Sequence, residues 1–319
     1  MKYVTFLLLF ASAAFAQQKF TVRDSLNQKP VAYATVNLLN DYGLYANADG
    51  EVTIDDKAIA AIEVSSIGYG AKKIVLATVA EVVYLSPRSI ELDEVVVAVK
   101  KPKRIEAVVK PKGHQNEAKM SVSHIGMMYA FLVKPEKANS YLTKIVMPLM
   151  EKDFVWNAGK KEDPFKMTAY KALIKVEVLV NNNDAPGDKL NDFEQIVLID
   201  NAKDATAFTF ALSDEIAIPK DGLFVKLTIL GNADESGNLI PEAPYDLATD
   251  KDGKQRKWSK QMQPHFPLFE APKGLTTYVA DVFGMNTEWE IINRPLIYDP
   301  AKTYNGFNIG FGYTTVTYE

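Results

Sequence analysis

Apolar and polar residues alternate with a period of two through much of this chain, the pattern of strands with one buried face. Ala32, Ala34, Val36 and Leu38 alternate with Tyr33, Thr35, Asn37 and Leu39, so one face is apolar and the other mixed. Asn47-Ala48-Asp49-Gly50 then supplies turn chemistry ahead of Val52-Thr53-Ile54, because Gly accepts positive φ and Asp bonds its local backbone. Ile62 to Ile67 predicts another strand, Gly68-Tyr69-Gly70 a turn, and Lys73 to Leu76 and Val82 to Leu85 two more strands. Runs at this spacing predict an antiparallel sandwich of about seven short strands.

The second half repeats the pattern on a larger scale. Ile174, Val176, Val178 and Val180 alternate with Lys175, Glu177 and Leu179, and Asn181-Asn182-Asn183-Asp184 ends the run with turn residues. Thr206 to Leu212 alternates Phe208, Phe210 and Leu212 with small residues, and Pro219-Lys220-Asp221-Gly222 turns into the run Leu223 to Leu230. A last strand is expected from Phe307 through Tyr318. No segment keeps a helical period with caps at both ends, so the expected fold class is all-β, a small sandwich followed by a larger, jelly-roll-like one.

Between the two, Lys100, Lys101, Lys103, Arg104, Lys110 and Lys112 face only Glu106, with Pro102 and Pro111 interrupting regular structure. This reads as an extended, solvated linker. The organisation is then a signal peptide over 1–16, a small β-sandwich over 17–98, a basic linker over 99–120 and a second sandwich over 121–319. The linker's charge also suits peripheral contact with an anionic membrane surface, at an energy that salt would screen.

Composition narrows the function. Lys2, the apolar run Val4 to Phe10 and Ala14-Phe15-Ala16 form a secretory signal with cleavage expected after Ala16. No later stretch reaches the roughly 20 apolar residues of a membrane-spanning helix. Cysteine is absent, which removes disulfides, thiolate metal sites and a cysteine nucleophile, and Gln17-Gln18 stand where a lipidated cysteine would follow the signal. A formal charge of −4 gives no reason to expect nucleic acid. His114, His124 and His265 are too widely spaced for a metal-ligand motif.

Pro30 to Val36, Asp49-Gly50 and Ile67-Gly68-Tyr69 occur in the order Pro-Val-x-x-Ala-x-Val strand, Asp-Gly turn and Ile-Gly-Tyr corner. In this the chain resembles the carboxypeptidase-regulatory-like domain, a transthyretin-like β-sandwich of many Bacteroidetes cell-envelope proteins. The resemblance implies an envelope location and no peptidase machinery. The second sandwich is similar to the C-terminal one that often accompanies this domain, with Ala185-Pro186-Gly187 in a loop and Pro219 to Val225 at a turn and strand. Leu92-Asp93-Glu94-Val95-Val96-Val97 resembles the TonB box of receptors from the same bacteria, a peptide captured by strand addition. The favoured reading of the same residues is a last edge strand leading into a linker.

The chemistry of a catalytic or metal site is missing from the sequence. There is no Gly-x-Ser-x-Gly elbow and no His-Glu-x-x-His pair. Asp250-Lys251-Asp252-Gly253 starts like a calcium loop but has Gln261 at the twelfth position, so a hairpin turn is the expectation. No cofactor or metal is expected. The long connection from Ala233 to Gly274 carries aromatics among prolines, which suits either a binding surface or a lid over one end of the core. Partner-binding candidates are Glu94, Val95, Val96, Val97, Tyr245, Trp258, Phe266 and Phe269. The expected function is a non-enzymatic accessory subunit in the periplasm, associated with an outer-membrane barrel protein or complex. A glycan- or peptide-binding module is the competing class, and an enzyme with an unrecognised acidic site comes third.

Overall fold

A computed structural model describes residues 18–88, 103–112, 119–150, 152–154, 165–167, 169–201, 206–250, 252–270, 277–284, 286–293, 301 and 306–318. The fold is nearly all β, and the described residues contain a single short 3-10 turn, Leu76–Thr78, and no α-helix. Two sandwiches lie one after the other.

The smaller has a three-stranded sheet, with Gln18–Asp24 between Glu51–Ile54 and Val82–Leu85, and a four-stranded sheet in the order Gly43–Tyr45, Thr35–Asn37, Ala61–Ser65, Lys72–Val75. Alternation fills the space between them with Phe20, Val22, Val36, Val52, Ile54, Ile62, Val64, Val83 and Leu85. One pairing departs from the antiparallel expectation. Gln18–Asp24 runs parallel to Val82–Leu85, which is possible because nearly the whole unit forms the connection between them. The predicted strand around Val36 is also shorter than its alternation. Tyr33 and Leu39 have positive φ and Ala32 is exposed, so only Thr35–Asn37 pairs.

The Asp49-Gly50 turn forms as the sequence requires. Asn47 Oδ1 accepts the N–H groups of Asp49 and Glu51 at 2.9 and 2.8 Å. Gly50 has φ of 75°, and a Cβ there would stand 2.5 Å from the Val22 carbonyl, so the position excludes side chains on both counts.

The larger sandwich opposes a six-stranded sheet to a four-stranded one. The first runs Ala185–Asp200, Lys171–Asn182, Leu223–Asn232, Met127–Val133, Tyr278–Asp281, Glu290–Ile291, and the second Ala207–Ala217, Ser140–Pro148, Gly312–Tyr318, Arg104–Val109. Tyr129, Phe131, Leu142, Ile145, Met147, Ile174, Val176, Val225 and Leu227 fill the core, and Phe131 stacks on Phe311 at 4.3 Å. Asn183 and Asp184, both at positive φ, close the hairpin Lys171–Asn182/Ala185–Asp200. Ala185-Pro186-Gly187 is therefore the start of a strand rather than a loop.

Two expectations need correcting. Arg104–Val109, inside the stretch read as a basic linker, is a strand paired with Gly312–Tyr318 from Tyr313↔Val109 to Tyr318↔Arg104. Its half-buried Ile105, Ala107 and Val109 alternate with exposed Arg104, Glu106 and Val108, a two-residue period masked by the surrounding lysines. The connection 233–274 is likewise not one long loop. It holds the hairpin Tyr245–Thr249/Gln255–Ser259, then Gln261–Pro267 paired with Met120–His124 and Phe269–Glu270 paired with Phe307–Asn308. A register shift between Met262 and Phe266 accommodates Pro264, which cannot donate to a ladder.

Candidate functional site

The sequence candidates separate by burial. Phe266 is 0% exposed and packs its ring 4.9 Å from Tyr129 and 5.7 Å from Phe311, so it is a core residue and not a contact for a partner. Phe269 is half-buried in its short ladder. Trp258 is 59% exposed. Glu94, Val95, Val96 and Val97 lie outside the described residues.

Tyr245 is buried, but against the smaller sandwich. Its hydroxyl donates to the Asp56 carboxylate, its ring lies 4.6 Å from that of Tyr42, and Lys257 Nζ sits 4.2 Å above it while reaching within 3.7 Å of Asp56. Burial, followed by the Asp56 charge, pushes the Tyr245 hydroxyl well above the ordinary tyrosine range. Burial alone would raise Asp56, yet the Tyr245 hydroxyl and the Ala58 N–H outweigh it and hold Asp56 below its usual value. The second half of the junction is apolar. Tyr45 enters the core of the larger unit with its ring 5.5 Å from Phe283, and Phe283 packs so close to Gly43 and Gly126 that a Cβ at either would strike its ring.

Rooted at this junction, the hairpin Tyr245–Thr249/Gln255–Ser259 has Tyr245 as its one buried strand residue. Cross-strand pairing puts Trp258 opposite Asp246 and Leu247 opposite Lys257, so Trp258 and Leu247, 59% and 61% exposed, stand on opposite faces. The tip is a hydrogen-bonded turn. Asp250 Oδ1 accepts the N–H groups of Asp252 and Lys254, both at 2.9 Å, and Oδ2 accepts Arg256 Nε at 2.6 Å. The Lys254 N–H and then Arg256 hold this carboxyl below its ordinary value. Asp234 makes the same kind of turn with Ser236 and Asn238.

Two arrangements escaped the sequence reading. Glu177 alternates with core residues and reads as solvent-facing, yet it is 1% exposed and held between Lys189 and Lys226. Burial would raise its pKa, but Lys226 and Lys175 reverse this and hold it below the ordinary glutamate value. Lys226 is itself lowered by burial, against the pull of Glu177. The alternation carries no signal for this cluster, because Lys189 arrives from a neighbouring strand through an irregular register. The other arrangement is His124, whose Nε2 stands 2.6 Å from Asp281 Oδ1 in an open cleft beside Asp41 and Tyr42.

Among the described residues no three His, Cys, Asp or Glu side chains gather as a metal site, and no helix is long and apolar enough to cross a membrane.

No protein family's sequence profile matches the chain, and no curated protein does. Among solved structures it is similar to the cysteine protease and lectin-like domains of Cwp84, a surface layer associated protein of Clostridium difficile, at 11% identity and a TM-score of 0.34. That likeness covers 90% of this chain and 59% of the other, and is too distant to bear on chemistry.

Proposed function

We propose that the protein is a non-enzymatic accessory subunit of an outer-membrane complex, docked on a barrel protein from the periplasmic side. The complex would be a barrel-assembly machinery, a TonB-dependent receptor or a secretion translocon. The observation that carries this reading is the hairpin 245–259. It is exposed on both faces, presents Trp258 and Leu247, and is fixed at its root by Tyr245 and Lys257 on Asp56. An isolated two-stranded hairpin is marginal in water, so one held this way is pre-organised for contact, and aromatic anchors dominate protein interfaces. The Pro30 to Tyr69 resemblance to the regulatory-like domain supports the envelope setting.

The test is affinity purification of the tagged protein from gently solubilised outer membranes, followed by mass spectrometry. Stoichiometric recovery of a barrel protein, lost in Trp258→Ala/Leu247→Ser, is the expected result. Recovery as a clean monomer in the soluble fraction would reject the reading.

A further inference from the structure

Among the described residues, the first and last strands of the smaller sandwich lie side by side. Gln18–Asp24 is the middle strand of its sheet, and Val82–Leu85 runs parallel to it from Thr21↔Val82 to Asp24↔Leu85. The ladder is flanked by the Thr21 N–H, which donates to the Glu81 carbonyl at 2.8 Å, and by the Ser25 N–H, which donates to the Leu85 carbonyl at 2.9 Å. Past Leu85 the chain is tied down once more. There the Arg88 N–H donates to the Gly68 carbonyl at 2.7 Å, and the Gly70 N–H to the Ser86 carbonyl at 2.9 Å.

Parallel pairing decides how this unit meets a pull along the chain. Tension applied ahead of Gln18 draws the first strand toward its own N-terminus, and tension applied after Leu85 draws the last strand toward its C-terminus. Because the two strands point the same way, they are driven past each other along their common axis. Inter-strand bonds lie across that axis, so the whole ladder is loaded at once. The antiparallel ladder on the other side, Gln18↔Ile54 to Thr21↔Glu51, is sheared in the same motion. Phe20 and Val22, both buried, would be dragged out of the core together. Asp24 would at the same time lose the Tyr69 hydroxyl at 3.0 Å and the Leu26 N–H at 2.7 Å.

The larger sandwich meets the same pull differently. Arg104–Val109 is the outer strand of its sheet among the described residues, and it runs antiparallel to Gly312–Tyr318 with Arg104 opposite Tyr318. Tension entering ahead of Arg104 and leaving after Tyr318 acts across one end of this ladder, so its bonds part in turn and each carries the full load alone. Glu215 holds that end, accepting the Tyr318 hydroxyl at 2.6 Å and standing 3.7 Å from Arg104 Nε, but exposed contacts of this kind add little. We infer that the smaller sandwich is a load-bearing module, which stays folded while it transmits tension along the chain, and that the ladder Arg104–Val109/Gly312–Tyr318 opens at far lower load. The inference is independent of the accessory-subunit reading, since it follows from strand directions within the chain.

The test is single-molecule force spectroscopy on the full chain, pulled by DNA handles on introduced cysteine pairs. The chain has no cysteine of its own, so each pair is a unique attachment. Lys19→Cys/Arg88→Cys, at two exposed positions, loads the parallel ladder along its axis. Lys19→Cys/Glu81→Cys, also exposed, loads the same ladder across one end. Lys103→Cys/Glu319→Cys does so for the ladder of the larger sandwich. At one loading rate, the first pair should rupture in a single step at a force several-fold above either of the others. Forced rupture reads the barrier to unfolding rather than overall stability, so the three variants should differ in force while sharing the melting curve of the parent. Equal forces for the two pairs that include Lys19, or a force for Lys19→Cys/Arg88→Cys no higher than for Lys103→Cys/Glu319→Cys, would overturn the proposal.

Discussion

The Tyr245 hydroxyl donates its hydrogen bond to Asp56 across 189 residues of sequence, joining the exposed hairpin to the smaller sandwich. Tyr245→Phe removes this bond alone and should cost about 1–2 kcal/mol, a hydrogen bond to a charged acceptor. Thermal melting of Tyr245→Phe, Asp56→Asn and the double variant measures it, and additive losses would show that the two groups do not interact. The pH dependence follows. Asp56 is held below the ordinary aspartate value, so its contribution is present above that value and fades as pH falls through the lower folded one. Tyr245→Phe should flatten the acid limb.

Phe283 closes on Gly43, and the two should be coupled. Gly43→Ala drives a Cβ into the ring and is expected to destabilise by about 1–3 kcal/mol, as overpacking does. Phe283→Ala should cost about 3–5 kcal/mol. In the double variant the smaller ring site relieves the clash, so chemical denaturation should give less than the sum.

Glu177 sits between Lys189 and Lys226, so Glu177→Ala leaves buried ammonium groups without their counter-charge. A loss of about 3–5 kcal/mol is expected. Because its folded pKa lies below the ordinary glutamate value, the carboxylate stabilises the fold above that value and loses its effect as pH falls through the lower folded one. Urea titrations at neutral and at acid pH should show the difference between the parent protein and Glu177→Ala shrinking toward acid.

Trp258→Ala and Leu247→Ser should each change stability by no more than about 0.5 kcal/mol, since exposed side chains away from caps and cores carry little. Partner recovery should nevertheless fall. A large stability loss would mean that the hairpin's faces serve folding instead of contact.

The sequence made the sandwich cores legible wherever alternation maps directly onto burial, as at Ile62 and Val64, and at Ile174, Val176 and Val178. It failed where composition and pairing disagree. The strand Arg104–Val109 hides among lysines, and Gln261–Pro267 holds two prolines that argue against a strand. Burial of Glu177 depends on which lysines neighbouring strands bring to it, and that is a matter of register. The aromatics of 245–269 read alike in sequence, yet Phe266 fills the core, Tyr245 seals the junction and Trp258 meets solvent. Only tertiary packing distinguishes them.

The strand Gly312–Tyr318 lies between Ser140–Pro148 and Arg104–Val109, which gives the fold a timetable. During synthesis, Arg104–Val109 has no partner until residues 312–318 have left the ribosome, and until then the four-stranded sheet lacks an interior member. Pairings this distant impose a large loop-closure cost before they return any stabilisation. The larger sandwich should therefore form late and slowly, while the smaller one can close as soon as Val82–Leu85 reaches Gln18–Asp24.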